Sequence, residues 1–201
     1  MLELMLLGDL SLRMVVWQGA IAWHKHMDLD ELFLVHEGEI LLESEWGNNL
    51  LQAGELAVIP KGIGHRSNSV QRSVILQVHR KYMADRRNGE RRTFAGERGH
   101  PVSKVNVLQE ARTLEEPFAS CQVARVDDAM VSVVTWRGVS SWQEESQERI
   151  FLLWEGEATL ETDEALVPLA GRELVSLPQS LRYRIVAHVP CIAVCFACSV
   201  L

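Results

Sequence analysis

Three of the seven histidines and one glutamate fall into two short segments whose spacing suits a metal ion. In GAIAWHKHMDLDELFLVHEG, His24 and His26 are separated by a single residue. On an extended strand that spacing sends both imidazoles to the same face. Glu31 opens the next apolar run, where a returning strand would set its carboxylate opposite the histidine pair. In GELAVIPKGIGHRSN, the turn from Pro60 to Gly62 leads directly to His65. A lone histidine at a strand end is usually polar surface, so the weight rests on the combination. Three imidazoles and one carboxylate suit one divalent transition metal per chain, Fe, Mn, Ni, Co or Zn, rather than Ca or Mg.

The surrounding sequence reads as strands. LRMVVW, ELFLVHEGEILLE, LAVIP and VILQVH are short apolar runs between turn signals, and none has the length or period of a core helix. Glu37-Gly38 and Glu155-Gly156 fall in mid-run, where a glycine marks a bulge or bend in a long hairpin. The runs also repeat. WQGAIAW (Trp17 to Trp23) returns as WRGVSSW (Trp136 to Trp142), FLVHEGEILLE as FLLWEGEATLE, and GELAVIP as GRELVSLP, in the same order. Duplication of one all-β unit follows, with domains over 1–82 and 106–201 and a polar connector over 83–105. SKVNVLQEARTLEEPF, ahead of the second copy, has a short helical look and no counterpart before the first. Many short strands between Gly and Pro turns favour a sandwich or small barrel.

Both histidine segments resemble cupin motifs. The first motif of that family, a Gly, then HxH, three or four residues, Glu, six residues and Gly, is matched by His24, His26, Glu31 and Gly38. The second is matched by Gly54, Pro60, Gly62, His65 and Asn68. Gly19 stands one residue closer to His24 than usual, and Asn68 one residue early after His65. The stretch WHKHMDLDELFLVHEG is similar to small bacterial cupins described as mannose-6-phosphate-isomerase-like. The resemblance implies two tandem jelly rolls (double-stranded β-helices) with a short partly helical connector. It also implies one metal held by His24, His26, Glu31 and His65, with open positions for water, dioxygen or substrate, and the homodimer that cupins commonly form.

The second copy has lost the site. Alignment on Trp142 sets Gln143 and Glu145 at the places of His24 and His26; alignment on Phe151 sets Arg149 at Glu31 and Tyr183 at His65. Glu144, Glu145 and Glu148 read as a solvated acidic loop rather than a hard-cation site.

By strict alternation Phe33 and Val35 share the inward face of Glu31, and Ala22 that of His24, so the pocket near the metal would be mainly apolar. The same pattern is what a core requires. It supplies no Lys or Arg to grip a phosphate, and Arg66 and His36 point outward. The expected function is a metal-dependent enzyme acting on a small organic molecule. Its chemistry would be that of an isomerase or lyase, with Glu31 leaving the metal as base, or of a dioxygenase; the alternative is a non-catalytic cupin that senses a ligand.

Composition fits this reading. With 47% hydrophobic and 23% charged residues the chain can bury a core, and a net charge of -7 argues against nucleic acid or anionic lipid as a partner. The basic run from Arg80 to Arg92 is interrupted by Asp85 and Glu90 and reads as a solvated connector. The N-terminal MLELMLLGDL lacks a cationic leader and is too short to span a bilayer, so a cytoplasmic location is expected. Cys191, Cys195 and Cys198 imitate an iron-sulfur spacing, but CIAVCFACSV reads as a buried final strand.

Overall fold

The computed structural model describes residues 1–82, 85–89 and 102–198, and the chain divides into two compact units, Met1–Asn106 and Val107–Leu201. Both are jelly rolls built around one very long strand.

In the first unit that strand is β8 (His65–Arg80). Its C-terminal half pairs with β2 (Leu10–Ala20) on one side and β4 (Glu31–Glu37) on the other. Its N-terminal half bends into a second layer, pairing with β5 (Glu39–Ser44) and, at His65, with β3 (His24–His26). β1 (Leu2–Leu7) extends the first layer beyond β2, and β7 (Glu55–Ile59) extends it beyond β4. β6 (Gly47–Gln52) pairs with β5 in the second.

Phe33, Val35, Ile40, Leu42, Leu51, Ile59 and Ile75 fill the space between the layers. Leu32 and Leu34, on the opposite face of β4, are fully buried as well. This strand is central, which is why its sequence is a continuous apolar run rather than an alternating one. The bend anticipated at Gly38 is present. β4 and β8 change register between Val35 and Glu37, and Gly38 turns the chain into β5 with a φ of +77°.

The second unit repeats the plan on β18 (Arg182–Cys198), which pairs with β12 (Ala129–Val139), β14 (Arg149–Glu155), β15 (Glu157–Thr162) and β13 (Gln143–Glu144). β11 (Ser120–Val126), β16 (Leu166–Ala170) and β17 (Leu174–Leu177) complete it. A short helix, α1 (Val107–Arg112), lies in the stretch with the helical look. Cys191 and Cys195 are buried in β18 as small apolar side chains, and all four cysteines are free. Burial pushes the Cys195 thiol up to about 11, so it is not a reactive thiolate.

Two strands lie at the described ends of the stretch expected to be a polar connector. Its described parts form β9 (Arg86–Asn88), which pairs with β3, and β10 (Lys104–Asn106), which pairs with β7. They cover backbone edges that β3 and β7 would otherwise leave open, and polarity of sequence does not prevent a strand from doing so. No helix among the described residues is long and apolar enough to cross a membrane.

Candidate metal centre

Three strands bring the histidine and glutamate side chains together. His24 and His26 lie on β3 with Lys25 on the other face, Glu31 opens β4, and His65 opens β8 directly opposite His24. All four are buried, and their ligand atoms lie within 4.8 Å of one another. The His24 and His65 rings are 4.4 Å apart and those of His24 and His26 5.1 Å. The loops carrying these residues are tied by the backbone. Gly62 N–H donates to the His26 carbonyl at 2.5 Å, and Lys61 N–H donates to Asp30 Oδ1 at 2.9 Å.

Each outer hydrogen bond decides what the ring offers inward. Nδ1 of His24 lies 3.0 Å from the Ala22 carbonyl, and Nδ1 of His65 lies 3.0 Å from the Ile63 carbonyl. A carbonyl only accepts, so both Nδ1 atoms carry the proton and both Nε2 atoms present a lone pair to the centre. His26 directs Nε2 to within 3.6 Å of Glu31 Oε2, while its buried Nδ1 has no hydrogen-bond partner among the described residues.

His65 Nε2 lies 2.9 Å from Glu31 Oε2. With Nδ1 already protonated, two acceptors would face each other there. A positive charge, a second proton or a metal ion, belongs between them. The need is strong because an ionised carboxylate this deeply buried costs several kcal/mol unless it is compensated. Burial pulls the Glu31 carboxyl upward, but the hydrogen bond and charge of His65, with His26 and His79 adding, carry it down to about 2. Burial and the neighbouring His65 hold His24 down to about 4, and burial lowers His26 despite Glu31. The site is thus a carboxylate beside His24 and His26, both biased towards the neutral, ligating form. That donor set fits a divalent transition ion.

Three features lay outside the sequence reading. Gln77 on β8 donates from Nε2 to Glu31 Oε1 at 2.5 Å, so both carboxylate oxygens are engaged. His79 is buried on the same strand, near enough to act on Glu31 and His26, and its Nε2 has no hydrogen-bond partner among the described residues. Ile75, Gln77 and His79 alternate along VILQVHR, and that alternation was the available signal. The third feature is a cation near the histidines, where none was expected. β9 pairs Arg86 with His26, and directly opposed residues of an antiparallel pair share a face. Its charge helps lower both His24 and His26.

Of the expected pocket residues, Phe33 and Val35 are buried in the core cluster, Phe33 with its ring edge-on to His65 at 6.2 Å. Ala22 does not join them. It is exposed and contributes its carbonyl instead, because β2 ends at Ala20 and β3 begins at His24, so alternation is not carried across the break. Arg66 Nε holds Glu43 Oε2 at 2.5 Å, with the guanidinium over the Trp23 ring.

The second copy keeps the framework without the ligands. β13 and β18 oppose Gln143 to Tyr183 in the register that opposes His24 to His65. Glu145, expected in a solvated loop, is instead 5% exposed: it accepts from the Tyr183 hydroxyl and pairs with Arg149. A hydroxyl and a guanidinium inside the barrel compensate the carboxylate, which therefore need not face water.

No family model matches the chain. The uncharacterized protein YdbB of Bacillus subtilis (strain 168) is 41% identical over 75 residues, which are 37% of this chain and 66% of that protein, just under two thirds of its length. Among solved structures, a cupin 2 conserved barrel domain protein from Leptotrichia buccalis matches with a TM-score of 0.73 and 10% identity, over 98% of this chain and 88% of the other. The fold is the cupin barrel. A salicylate 1,2-dioxygenase from Pseudoaminobacter salicylatoxidans, with gentisate adducts, also matches at 0.73 and 10% identity, over 94% of this chain and 67% of that one.

Proposed function

We propose that the first cupin barrel holds one divalent transition metal through His24, His26, Glu31 and His65 and acts there on a small organic acid, most simply as a dioxygenase. The chain as a whole is then a bicupin with one working barrel. The observation that carries metal binding is the 2.9 Å approach of His65 Nε2 to the buried Glu31 carboxylate, with Nδ1 already committed to the Ile63 carbonyl. A bound ion would supply Lewis acidity and open positions for water, dioxygen or substrate.

The chain's own residues shape the chemistry. Gln77 and His65 occupy both Glu31 oxygens, which suits a fixed ligand better than a mobile base and weighs against isomerase or lyase chemistry. Phe33 and Val35 give the interior an apolar wall that excludes water. Arg86, on the face of His26 and exposed, is placed to receive a carboxylate. The dioxygenase and gentisate of the structural neighbour accord with an organic acid and dioxygen.

Elemental analysis should find about one transition metal per chain, lost in His26→Ala and His65→Ala and retained in Tyr183→Phe. Absence of metal in the parent protein, even after reconstitution with Fe, Mn, Ni or Zn, would sink the reading. Oxygen consumption by the Fe form against a panel of small aromatic and aliphatic acids tests the reaction. Turnover without oxygen uptake would instead select isomerase or lyase chemistry, and binding without turnover a sensor. In the active form, Arg86→Met should raise KM about tenfold or more with a smaller effect on kcat.

A further inference from the structure

The four second-barrel positions that match the metal ligands form a cluster of a different kind. Tyr183 donates its hydroxyl to Glu145 Oε1, and Arg149 Nε lies 2.7 Å from Glu145 Oε2. Gln143 stands beside Tyr183 on the neighbouring strand. The guanidinium takes the part of the metal's positive charge opposite a buried carboxylate, and the phenol takes the part of an imidazole. Burial and the Glu145 carboxylate push the Tyr183 hydroxyl far above its ordinary value, so it remains a donor.

A cavity of about 310 Å³ opens on this cluster, lined in part by Trp136, Phe151 and Ile185 together with Gln143, Arg149 and Tyr183. Glu145 is not among the lining residues, and Arg149 is the single charged side chain among those described there. The Trp136 and Phe151 rings meet edge-to-face at 5.2 Å and are buried. The site therefore offers one guanidinium beside an aromatic wall, its side chain 30% exposed, ion-paired through Nε with Glu145 and close to the Cys195 thiol. Its size is at the lower end of small-molecule sites, whose extent is about 300–1,000 Å³.

We propose that the second barrel binds a small organic carboxylate with an apolar ring and does so without metal. The terminal amino groups of Arg149 receive the carboxylate, and Trp136, Phe151 and Ile185 receive the ring. A metal cation is disfavoured by the guanidinium. This site does not depend on the first barrel's metal or activity.

Calorimetric titration of the full, chelator-treated chain with sodium benzoate tests it, with benzamide as the uncharged match of equal size. Saturable benzoate binding is expected, at least about tenfold tighter than benzamide, because a charge-assisted pair to arginine is lost in the amide. The paired change Arg149→Leu with Glu145→Gln removes both charges together and leaves the phenol an acceptor. It should weaken benzoate at least about tenfold, a loss of about 1.4 kcal/mol or more. Val139→Trp, at the exposed rim of the same cavity, leaves the ion pair intact and should weaken benzoate equally. No saturable binding, equal affinity for benzamide, or full affinity in a folded Val139→Trp chain would each overturn the proposal. So would benzoate binding that disappears on chelation, since that would place it at the first barrel's metal.

Discussion

At the scale of residues, the candidate metal centre depends on what holds its four side chains as much as on those side chains. Gln77 fixes Glu31 through one carboxylate oxygen, leaving the other for His65 and the centre. Gln77→Leu should therefore lower metal affinity by about 10- to 100-fold with the fold intact, measured by competition against a chelator. The pH response of the metal-free chain follows from His24 and Glu31. His24 stays neutral to about 4 when folded but takes a proton near 6.5 when unfolded, so stability is lost as pH falls through that interval. Glu31, held down to about 2, adds a loss between about 4.5 and 2. Both act in the same direction. Thermal melting temperatures of the chelated protein should fall steadily below about pH 6.5, and a flat profile from 7 to 4 would contradict the assigned burial. The clustering of His24, His26, Glu31 and His65 was legible because HxH on a strand is a local rule. Gln77 and Arg86 were harder to see, because each meets the site through a register between strands distant in sequence.

Elements position the site through the bends in their hairpins. Gly38 turns β4 into β5 at a φ of +77°, and a Cβ there would come within 2.3 Å of Ser73 Oγ. Backbone and space both forbid a side chain. Gly38→Ala should destabilise the chain by about 2–4 kcal/mol, read as a lowered urea midpoint. The equivalent Gly156 has a φ of +98° and lies against Cys191, so the constraint is duplicated with the unit. These glycines were readable in sequence because they interrupt apolar runs at matching places. β9 and β10 were not: RRN and KVN carry no strand pattern, and they are strands because exposed edges of β3 and β7 accept them. Ala22 was misplaced for the converse reason, since the two-residue period was carried across a break in the strand.

For the whole molecule, the two units share a framework, and each buries a carboxylate, Glu31 in the first and Glu145 at a different position of the second, with its own compensation. In the first it faces imidazoles arranged for an ion; in the second it is closed by Arg149 and Tyr183. The repeat made that division legible in the sequence. Burial of Glu145 was not, because nothing in QEESQER distinguishes its neighbours by exposure. The long strand β8 also bears on the order of events in time. His65 stands at its start and meets Glu31 from 34 residues away, so the ligand set closes only when a distant strand has docked. Contacts of that separation form late, after the loop entropy has been spent. An ion should accordingly slow unfolding of the first unit in stopped-flow experiments while leaving its refolding rate nearly unchanged, the behaviour of an interaction absent from the transition state. On the proposed function, metal would be loaded into a barrel that has already folded, and its supply would govern how long the barrel lasts rather than how quickly it forms.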